Sequence, residues 1–430
     1  MRMKLNKSSQ LVLVSAASLL AAGLMTACET LTTDFVFVTS SKAAGSNNYG
    51  EIDVFEINQE SGFMRQIPTS PFPSGGRNPV AEAVSEDHGN LYVVNEDDNT
   101  IVQFVIGNDG KVYPQNTVNT PGIFPMAVAV SGTNLYVVDT YQPLPVCSSA
   151  APCSGSIGVL PITIGSGNPP SDSLGSPVAN GDLTYMPLCR TGYKQSSSTL
   201  AWTCKGSEPD ILVPTAVNVL ASGTYVYVTA YDSTASPNAG YVFAFAATSG
   251  GELTPVNGGA APFAAGTHPT AIASDSTSNY VYVADLNSAN ILGFSVSSGS
   301  LSPLSGSPFK AGNQPAAIVT DPKYPFVYVA NSLDNTVQAY STSNGALTSL
   351  GTYATGEQPV AIGIDPSTNH FLYTANYLGS GVNGTVSGFV LSPTAGTLVN
   401  SQNSPYGANA QPTAVAAIPH TSSHPVSSSQ

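Results

Sequence analysis

The 430-residue sequence has little charge of either sign, and basic residues are the scarcer kind. Only 9% of its residues are Asp, Glu, Lys or Arg, against roughly a quarter in an ordinary soluble domain. Twelve Lys and Arg stand against 26 Asp and Glu, a formal net charge of −14. This balance excludes nucleic acid as a partner, because nucleic-acid binding needs a basic surface. With 42% apolar residues, the chain can build a large core and is not disordered.

Familiar catalytic motifs are also missing. The sequence contains no Gly-x-Ser-x-Gly nucleophile elbow, phosphate-binding loop, HExxH zinc motif or CxxCH haem-attachment motif. No segment has a sustained helical period with capping residues. We therefore expect no metal and no cofactor, and a fold without long helices.

The N-terminus has the order of an export signal. Three basic residues precede an apolar run over residues 11–25, which is too short to span a bilayer and is typical of a secretory signal. The run ends in Leu-Met-Thr-Ala-Cys28, which resembles a bacterial lipobox, with Met25 in the place that Leu usually holds. The resemblance implies a lipoprotein signal over residues 1–27 and lipidation of Cys28, as with palmitate. An ordinary signal with a coincidental Cys is the alternative.

Residues 28–34 would then form a short tether. Removal of residues 1–27 leaves 9 basic and 26 acidic residues, a formal net charge of −17. The lipoprotein resemblance also implies sorting by the residue that follows the Cys. Glu29, rather than Asp, favours the outer membrane over the inner one. The sequence thus predicts an exported protein held at the cell envelope by its N-terminal lipid.

The remaining four cysteines indicate disulfides, because an even number is typical of exported domains. They are Cys147, Cys153, Cys189 and Cys204. Three pairings are possible, and we prefer Cys147–Cys153 with Cys189–Cys204 because these close the shortest loops. A zinc site is disfavoured, since the four have neither a CxxC pair nor a nearby His.

An internal repeat is the strongest signal in the sequence. Residues 314–347 and 358–398 share a Gln-Pro start, a Val-Tyr-Val-Ala-Asn or Leu-Tyr-Thr-Ala-Asn segment and a closing Gly-x-Leu step. Each of seven copies is anchored by a proline: Pro79, Pro125, Pro214, Pro269, Pro315, Pro359 and Pro412. Their spacings are 46, 89, 55, 46, 44 and 53 residues, and the short ones suit four-stranded propeller blades. Segments rich in Val, Ile, Tyr and Phe between Gly, Asn, Asp and Pro turns predict the strands.

The chain ends predict how the ring closes. Residues 412–418 form an inner strand with nothing after it, and residues 35–39 a second strand with nothing before it. Pairing them in one blade gives an all-β, seven-bladed β-propeller of four-stranded antiparallel blades over residues 35–419, without an open gap. The Ser-rich residues 420–430 are predicted to be a disordered tail.

Two segments, Val281-Tyr-Val-Ala-Asp285 and Val327-Tyr-Val-Ala-Asn331, resemble the YVTN-type, lactonase-like seven-bladed propellers. The resemblance covers about residues 35–419. Cytosolic members of that family act on phosphorylated sugar lactones, and phosphate capture normally needs clustered Arg and Lys. Three scattered arginines in an acidic exported chain do not provide such a cluster. The resemblance therefore implies the fold but not that reaction.

The predicted ring has two faces. The inner strand of a propeller blade conventionally runs from the top face to the bottom, so the loop before each anchoring proline (the pre-proline loop) lies on top. Insertions at about 140–155 and 180–212 are predicted to rise from the top as one disulfide-bearing cap. The strand that begins at Phe35 runs towards the top, so the tether reaches the bottom face. We expect the cap to face away from the membrane.

Two residues are candidate acid–base groups. Glu82 lies three residues after its proline, a position at which the other copies carry Val128, Val217, Ile272, Ile318, Ile362 and Val415. A partly buried carboxylate near the channel could be an acid or base, or could be satisfied by a backbone donor, Arg77 or water. His268 lies in a pre-proline loop and could be a base or ligand, or could simply bond backbone groups.

Ligand-binding candidates lie on the same face. Arg77 could grip an anionic group or be an ordinary surface residue. In the cap, beside Arg190, Trp202 could stack on a sugar or peptide ring or fill the core of the insertion. The residues that take the place of His268 in three other copies are Gln314, Gln358 and Gln411. The recurrent Asn or Asp at the end of each second strand is expected to cap the following turn.

These observations favour a monomeric, lipid-anchored binding or interaction module, with an envelope protein, glycan or small ligand at the top channel mouth. The alternative is a lactonase-like hydrolase of an unphosphorylated lactone or ester that uses His268 or Glu82 to activate water. Convergence of His268, Glu82 and Arg77 on one cavity would favour the enzyme. Separation by a blade or more would favour binding.

Overall fold

The structure is a computed structural model that describes residues 33–41, 49–143, 147, 153–165, 172–206, 210–365, 371–379 and 383–419. The predicted signal peptide, Cys28 and the tail 420–430 lie outside these ranges. Within them the chain forms antiparallel strands and one helical turn, α1 (Val256–Gly259). No helix there is both long and apolar enough to span a bilayer.

The first three blades contain the strands nearest the N-terminus and the last strand of the chain. Blade 1 contains β1 (Thr33–Ser41), β2 (Tyr49–Asn58), β3 (Met64–Gln66), β4 (Phe72–Arg77) and β35 (Gln411–Ile418). Blade 2 contains β5 (Pro79–Val84), β6 (Asn90–Asn95), β7 (Thr100–Ile106) and β8 (Val112–Asn119). Blade 3 contains β9 (Ile123–Ser131), β10 (Asn134–Tyr141), β11 (Ser156–Thr163), β12 (Ser173–Leu174) and β13 (Met186–Pro187). A separate hairpin follows, made of β14 (Tyr193–Gln195) and β15 (Trp202–Cys204).

The remaining four blades follow in chain order. Blade 4 contains β16 (Leu212–Val219), β17 (Tyr225–Asp232), β18 (Ala239–Ala247), β19 (Leu253–Pro255) and β20 (Phe263–Ala264). Blade 5 contains β21 (Pro269–Ser274), β22 (Tyr280–Asp285), β23 (Asn290–Ser297), β24 (Ser300–Pro303) and β25 (Phe309–Lys310). Blade 6 contains β26 (Pro315–Thr320), β27 (Phe326–Asn331), β28 (Thr336–Ser343) and β29 (Ala346–Ala354). Blade 7 contains β30 (Pro359–Ile364), β31 (Phe371–Asn376), β32 (Thr385–Leu391), β33 (Leu398–Asn400) and β34 (Tyr406–Gly407).

The last strand completes the first blade. β35 pairs antiparallel with β1, from Phe35 opposite Ile418 to Ser41 opposite Gln411. Each inner strand also contacts the inner strand of the next blade, all the way around the ring. The predicted seven-bladed propeller, closed by its two terminal strands, is confirmed.

Apolar side chains fill each seam, by which we mean the interface between two neighbouring blades. Seven clusters of buried apolar residues are present, one at each seam. Successive side chains on a strand point to opposite faces of its sheet, and here both faces meet another blade. This explains why the strands are almost continuously apolar.

A tyrosine in the second strand links several blades to the next one. The hydroxyls of Tyr227, Tyr282 and Tyr328 donate to the carbonyls of Gly299, Gly345 and Gly396, over 3.0, 3.0 and 3.2 Å respectively. Each ring is fully buried, so an unpaired hydroxyl would carry a desolvation cost. The Val-Tyr-Val segment thus supplies both seam packing and a polar link between blades.

A serine supports three blades in which the fourth strand is interrupted. The Oγ atoms of Ser70, Ser307 and Ser404 accept the backbone N–H groups of Val54, Gly293 and Gly388 on the third strand. Each serine is followed by Pro and then Phe or Tyr. The serine hydroxyl accepts an N–H group that a carbonyl of a continuous fourth strand would otherwise accept. The sequence Ser-Pro-Phe or Ser-Pro-Tyr therefore marks the point at which the fourth strand is interrupted.

The described part of the first insertion lies on the face where the inner strands begin, beside Leu212 of blade 4. The β14–β15 hairpin of the second insertion instead packs against the outer edge of the seam between blades 3 and 4, where Tyr193 meets Phe245 and Lys205 donates to the Gly259 carbonyl. This hairpin therefore does not rise from the top as predicted.

Both predicted disulfides, Cys147–Cys153 and Cys189–Cys204, are present. Ser154 ties the two insertions together, because its Oγ donates to the Asp210 carbonyl and accepts the Leu212 N–H. Since β1 runs opposite to β35, its Phe35 end lies on the face away from the first insertion.

Candidate functional site

The pre-proline loops are held by side chains from the end of the second strand. The Asp139 carboxylate accepts the Gly122 N–H at 2.9 Å, and Asn331 Oδ1 accepts the Gly312 N–H at 3.2 Å. Asn331 Nδ2 also donates to Thr336 Oγ1 after the following turn, as expected, whereas the bond found for Asp139 runs to the preceding loop. In each blade the second strand ends beside the start of the inner strand, which places the earlier loop within reach.

Arg77 belongs to this loop framework. Its Nε and Nη2 atoms each lie 2.6 Å from Asp98 Oδ1, and its backbone N–H donates to Asp98 Oδ2 at 2.7 Å. In blade 6, Asn313 makes the equivalent backbone and side-chain bonds to Asp334. The Asp98 carboxylate raises the pKa of Arg77 further above its usual value. The repetition in another blade assigns Arg77 to loop structure and leaves no open fork for an anion.

Glu82 lies on β5 and faces the seam between blades 1 and 2. The Thr39 hydroxyl donates to its Oε2, and the backbone N–H groups of Ala416 and Thr39 also bond to the carboxylate. Burial raises the pKa of Glu82 to about 7 against the lowering effect of these bonds. The side chain is partly exposed, but Oε1 is buried. Its partners are therefore a hydroxyl and backbone donors.

His268 lies on the top rim at blade 5. Its ring stacks on Tyr231 of blade 4, with centroids 4.0 Å apart and planes at 23°. Its backbone N–H donates to Asp285 Oδ1 at 2.8 Å, which fixes the loop. Burial lowers the pKa of the imidazole, and the Asp285 carboxylate partly opposes that shift. His268 is therefore a half-buried imidazole stacked on an aromatic ring, with its pKa below the ordinary value.

Two more aromatic rings lie on this part of the rim. Phe124 and Tyr141 of blade 3 meet edge to face, with centroids 6.1 Å apart. Burial and the nearby Tyr141 hydroxyl raise the pKa of Tyr231. We call Phe124, Tyr141, Tyr231 and His268 the aromatic arc. It crosses three consecutive blades and adjoins the cap, because Gln142 donates to the Ser154 carbonyl.

The other predicted rim residues share only the backbone role of His268. The carbonyls of His268, Gln314 and Gln358 each accept the N–H of the residue that follows the second strand. Gln314 and Gln358 adopt left-handed φ angles of 52° and 55°. Gln411 lies in β35, opposite Ser41. The carbonyl bond is thus shared by His268, Gln314 and Gln358, whereas the φ angle and the side chain at this position vary between blades.

Both candidates in the cap are engaged. Arg190 forms an ion pair with Asp210. The Trp202 side chain packs against the apolar cluster between blades 3 and 4, and the Trp202 backbone N–H donates to Asn180 Oδ1 at 3.3 Å. This position favours the packing role of Trp202 over an open stacking platform.

The structure separates the three residues whose convergence was in question. Arg77 ends β4 of blade 1 and Glu82 lies on β5 of blade 2, whereas His268 lies just before β21 of blade 5, at least two blades away from either. Glu82 also faces blade 1, away from His268. Phe124, Tyr141 and Tyr231 were not among the predicted site residues, because aromatic residues are so frequent in the strands that they give no signal there. Their only sequence mark is their position at the ends of strands.

The C-terminal part of the chain, residues 296–416, matches the family model described as lactonase, seven-bladed β-propeller. No curated protein matches the sequence.

Solved structures with the same fold cover most of the chain. A periplasmic gluconolactonase from Pseudomonas aeruginosa is 18% identical with a TM-score of 0.66, covering 91% of this chain and 100% of that one. A putative 6-phosphogluconolactonase from Bacteroides fragilis is 18% identical with a TM-score of 0.65, covering 90% and 99%. A hypothetical selenium-binding protein from Sulfolobus tokodaii is 11% identical with a TM-score of 0.57, covering 88% and 92%. At these identities the likeness shows the fold alone. The chain is a seven-bladed propeller of lactonase-like fold, and residues 296–416 match the lactonase propeller family model.

Proposed function

We propose that the top face binds an uncharged sugar ring or sugar lactone on the aromatic arc. The stacked Tyr231–His268 pair beside the cap carries this proposal. Ligand sites combine aromatic surface with a few polar groups that fix orientation. Here Tyr141 and Tyr231 supply ring faces with hydroxyls, and His268 supplies imidazole nitrogens.

The arginines support an uncharged ligand over a phosphorylated one. Residues 28–430 contain three arginines, and each is ion-paired: Arg65 with Glu56, Arg77 with Asp98 and Arg190 with Asp210. Phosphate recognition uses free bidentate guanidinium groups. A phosphate would have to displace a carboxylate at each of these sites, in a chain that is already strongly acidic.

We further propose the cellular location that the N-terminal sequence predicts. The mature protein would be exported and anchored through a lipid on Cys28, with the outer membrane favoured by Glu29. The position of the Phe35 end opposite the first insertion supports a top face turned away from the membrane. A monomer with an envelope glycan or small sugar as ligand fits this arrangement.

Lactone hydrolysis is the second candidate. The match of residues 296–416 to the lactonase model favours it, as does the lowered pKa of His268. In that reaction water would attack the lactone carbonyl while neutral His268 takes its proton, and the ring oxygen would leave as a hydroxyl after protonation. Because Glu82 and Arg77 are far from His268, we favour ligand binding over lactone hydrolysis.

A titration and a turnover assay on residues 29–430 separate these candidates. Methyl glucoside and gluconolactone are the probes, and glucose 6-phosphate is the charged control. We expect both uncharged probes to bind and Tyr231→Ala to weaken binding about tenfold, while Gln314→Ala, which alters the blade 6 counterpart of His268 outside the aromatic arc, changes nothing. Lactone opening above the spontaneous rate that falls at least 100-fold in His268→Ala would establish the hydrolase. Tighter binding of the phosphate, or equal effects of both alanine variants, would contradict the proposal.

A further inference from the structure

The ring is closed by two strands that lie at opposite ends of the sequence. β1 and β35 are joined only through their pairing in blade 1, whereas the inner strands of the other blades continue directly into their own second strands. Opening of the ring therefore begins most readily between blades 1 and 2 or within blade 1. A side chain of a neighbouring blade that bonds to both terminal strands would therefore oppose the opening of the ring.

Glu82 is such a contact. From blade 2, its carboxyl group accepts the hydroxyl and backbone N–H of Thr39 on β1, and the backbone N–H of Ala416 on β35. Beside it, the Thr413 hydroxyl reaches the carbonyl of Thr39 at 3.0 Å and the carbonyl of Pro79 at 2.8 Å. Terminal strands and blade 2 are thus tied together by one carboxyl and one hydroxyl.

The same position is apolar at the other six seams. Val217, Ile272 and Ile318, for example, lie within the buried clusters of their seams. A carboxylate in this place loses hydration, and Glu82 Oε1 is buried without a hydrogen-bond partner among the described residues. The neutral carboxylic acid suits such a site better than the anion.

Charged neighbours do not decide the state of Glu82. The strands packed against β5 are β1, β2, β6, β9 and β35. Their titratable groups are Asp34 on β1, Tyr49, Glu51, Asp53 and Glu56 on β2, and Tyr92 on β6, while β9 and β35 have none. None of these shifts the pKa of Glu82, which is set by burial and by its hydrogen bonds.

We propose that Glu82 is a pH-sensitive clamp on ring closure, which holds β1 and β35 to blade 2 when protonated and loosens them when ionised. The pKa is raised from 4.5 to about 7 by folding, so the closed ring binds the proton more tightly than the open one. The proton-linked stabilisation is complete below about pH 4.5 and is lost as the pH rises through about 7.

Hydrogen exchange on the full protein tests the clamp with an internal control. Protection of peptides over 35–41 and 411–418 is divided by that of 315–320 in blade 6, measured at the same pH so that intrinsic exchange cancels. We expect this ratio to fall about tenfold between pH 6 and pH 8, and to be constant in Glu82→Gln. Glu82→Val, which copies blade 3, is the second neutral variant if Glu82→Gln folds poorly. A constant ratio in the unaltered protein, or an unchanged pH dependence in both variants, would overturn the clamp.

Infrared spectroscopy gives an independent readout of the proton. A buried carboxylic acid band at pH 6 should disappear in Glu82→Gln. Because burial also raises the pKa of Asp139 to about 7, the comparison is made in an Asp139→Asn background. Persistence of the full band after both substitutions would show that Glu82 is ionised, contrary to the proposal.

Discussion

On the top rim, blades 2, 6 and 7, which we call the amide half, and blades 3, 4 and 5 share the strand pairing at their anchoring prolines but differ in side chains. In blades 2, 6 and 7 the second strand ends in Asn and the residue before the proline carries an amide: Asn95 and Asn78, Asn331 and Gln314, Asn376 and Gln358. In blades 3, 4 and 5 the corresponding pairs are Asp139 and Phe124, Ala230 and Val213, Asp285 and His268. The repeat has diverged where the aromatic arc lies, and this difference supports our proposal that the ligand binds on this half of the rim.

The buried Asp139 distinguishes blade 3 most strongly from the amide half. Burial raises its pKa from 3.8 to about 7, so its stabilisation is present at low pH and is lost as the pH rises through about 7. The unaltered protein should lose about 2–3 kcal/mol of unfolding free energy between pH 5 and pH 8 through this group. Asp139→Asn, which copies blade 6, should remove that loss in denaturant titrations. An unchanged pH slope would contradict the assignment.

Asp285 should be the next largest effect. Its carboxylate accepts the N–H groups of Thr267 and His268 at 2.9 and 2.8 Å. Asp285→Ala leaves these donors unpaired and should cost about 2 kcal/mol of unfolding free energy, while Asp285→Asn should cost less than half of that. Chemical unfolding of the two variants checks this order, and equal costs would show that loop bonding is unimportant.

The tyrosine links test what the two halves have in common. Tyr227→Phe in blade 4 and Tyr328→Phe in blade 6 each remove one buried hydroxyl bond and should cost about 1 kcal/mol. Tyr113→Phe, at an exposed residue, is the control and should be neutral in thermal unfolding. A loss of stability in only one of the two tyrosine variants would mean that the tyrosine bond does not stabilise the two halves of the ring equally.

Arg77 should give the smallest effect. Its side chain is solvent-exposed and its ion pair with Asp98 lies at the surface, where such pairs contribute little. Arg77→Ala should leave the melting temperature and sugar affinity unchanged within error. A marked loss of sugar affinity would move the site to the amide half of the rim.

Local patterns were sufficient to predict the fold. Pro315 and Val327-Tyr-Val-Ala-Asn331 recur at blade spacing, and their seam and turn roles depend on neighbours close in the sequence or one repeat away. The disulfides followed for the same reason, since Cys189 and Cys204 close a short loop.

The aromatic arc could not be predicted in this way. Phe124 and His268 are separated by most of three blades in the sequence, and only ring closure sets their distance. Tyr231 has the residue type of a strand core, so composition conceals it. The direction of the Asp139 bond could not be predicted either, because its acceptor role depends on how the preceding loop lies against the strand end. The position of Glu82 three residues after Pro79 did identify it as unusual, but did not predict that it faces the seam between blades 1 and 2.

A crystal structure of the protein with methyl glucoside tests the central claim most directly. The account predicts the sugar ring in contact with Tyr141 or Tyr231, within hydrogen-bond distance of His268 and next to the cap. A sugar on the rim of blades 6, 7 and 2, or on the face where β1 begins, would contradict it.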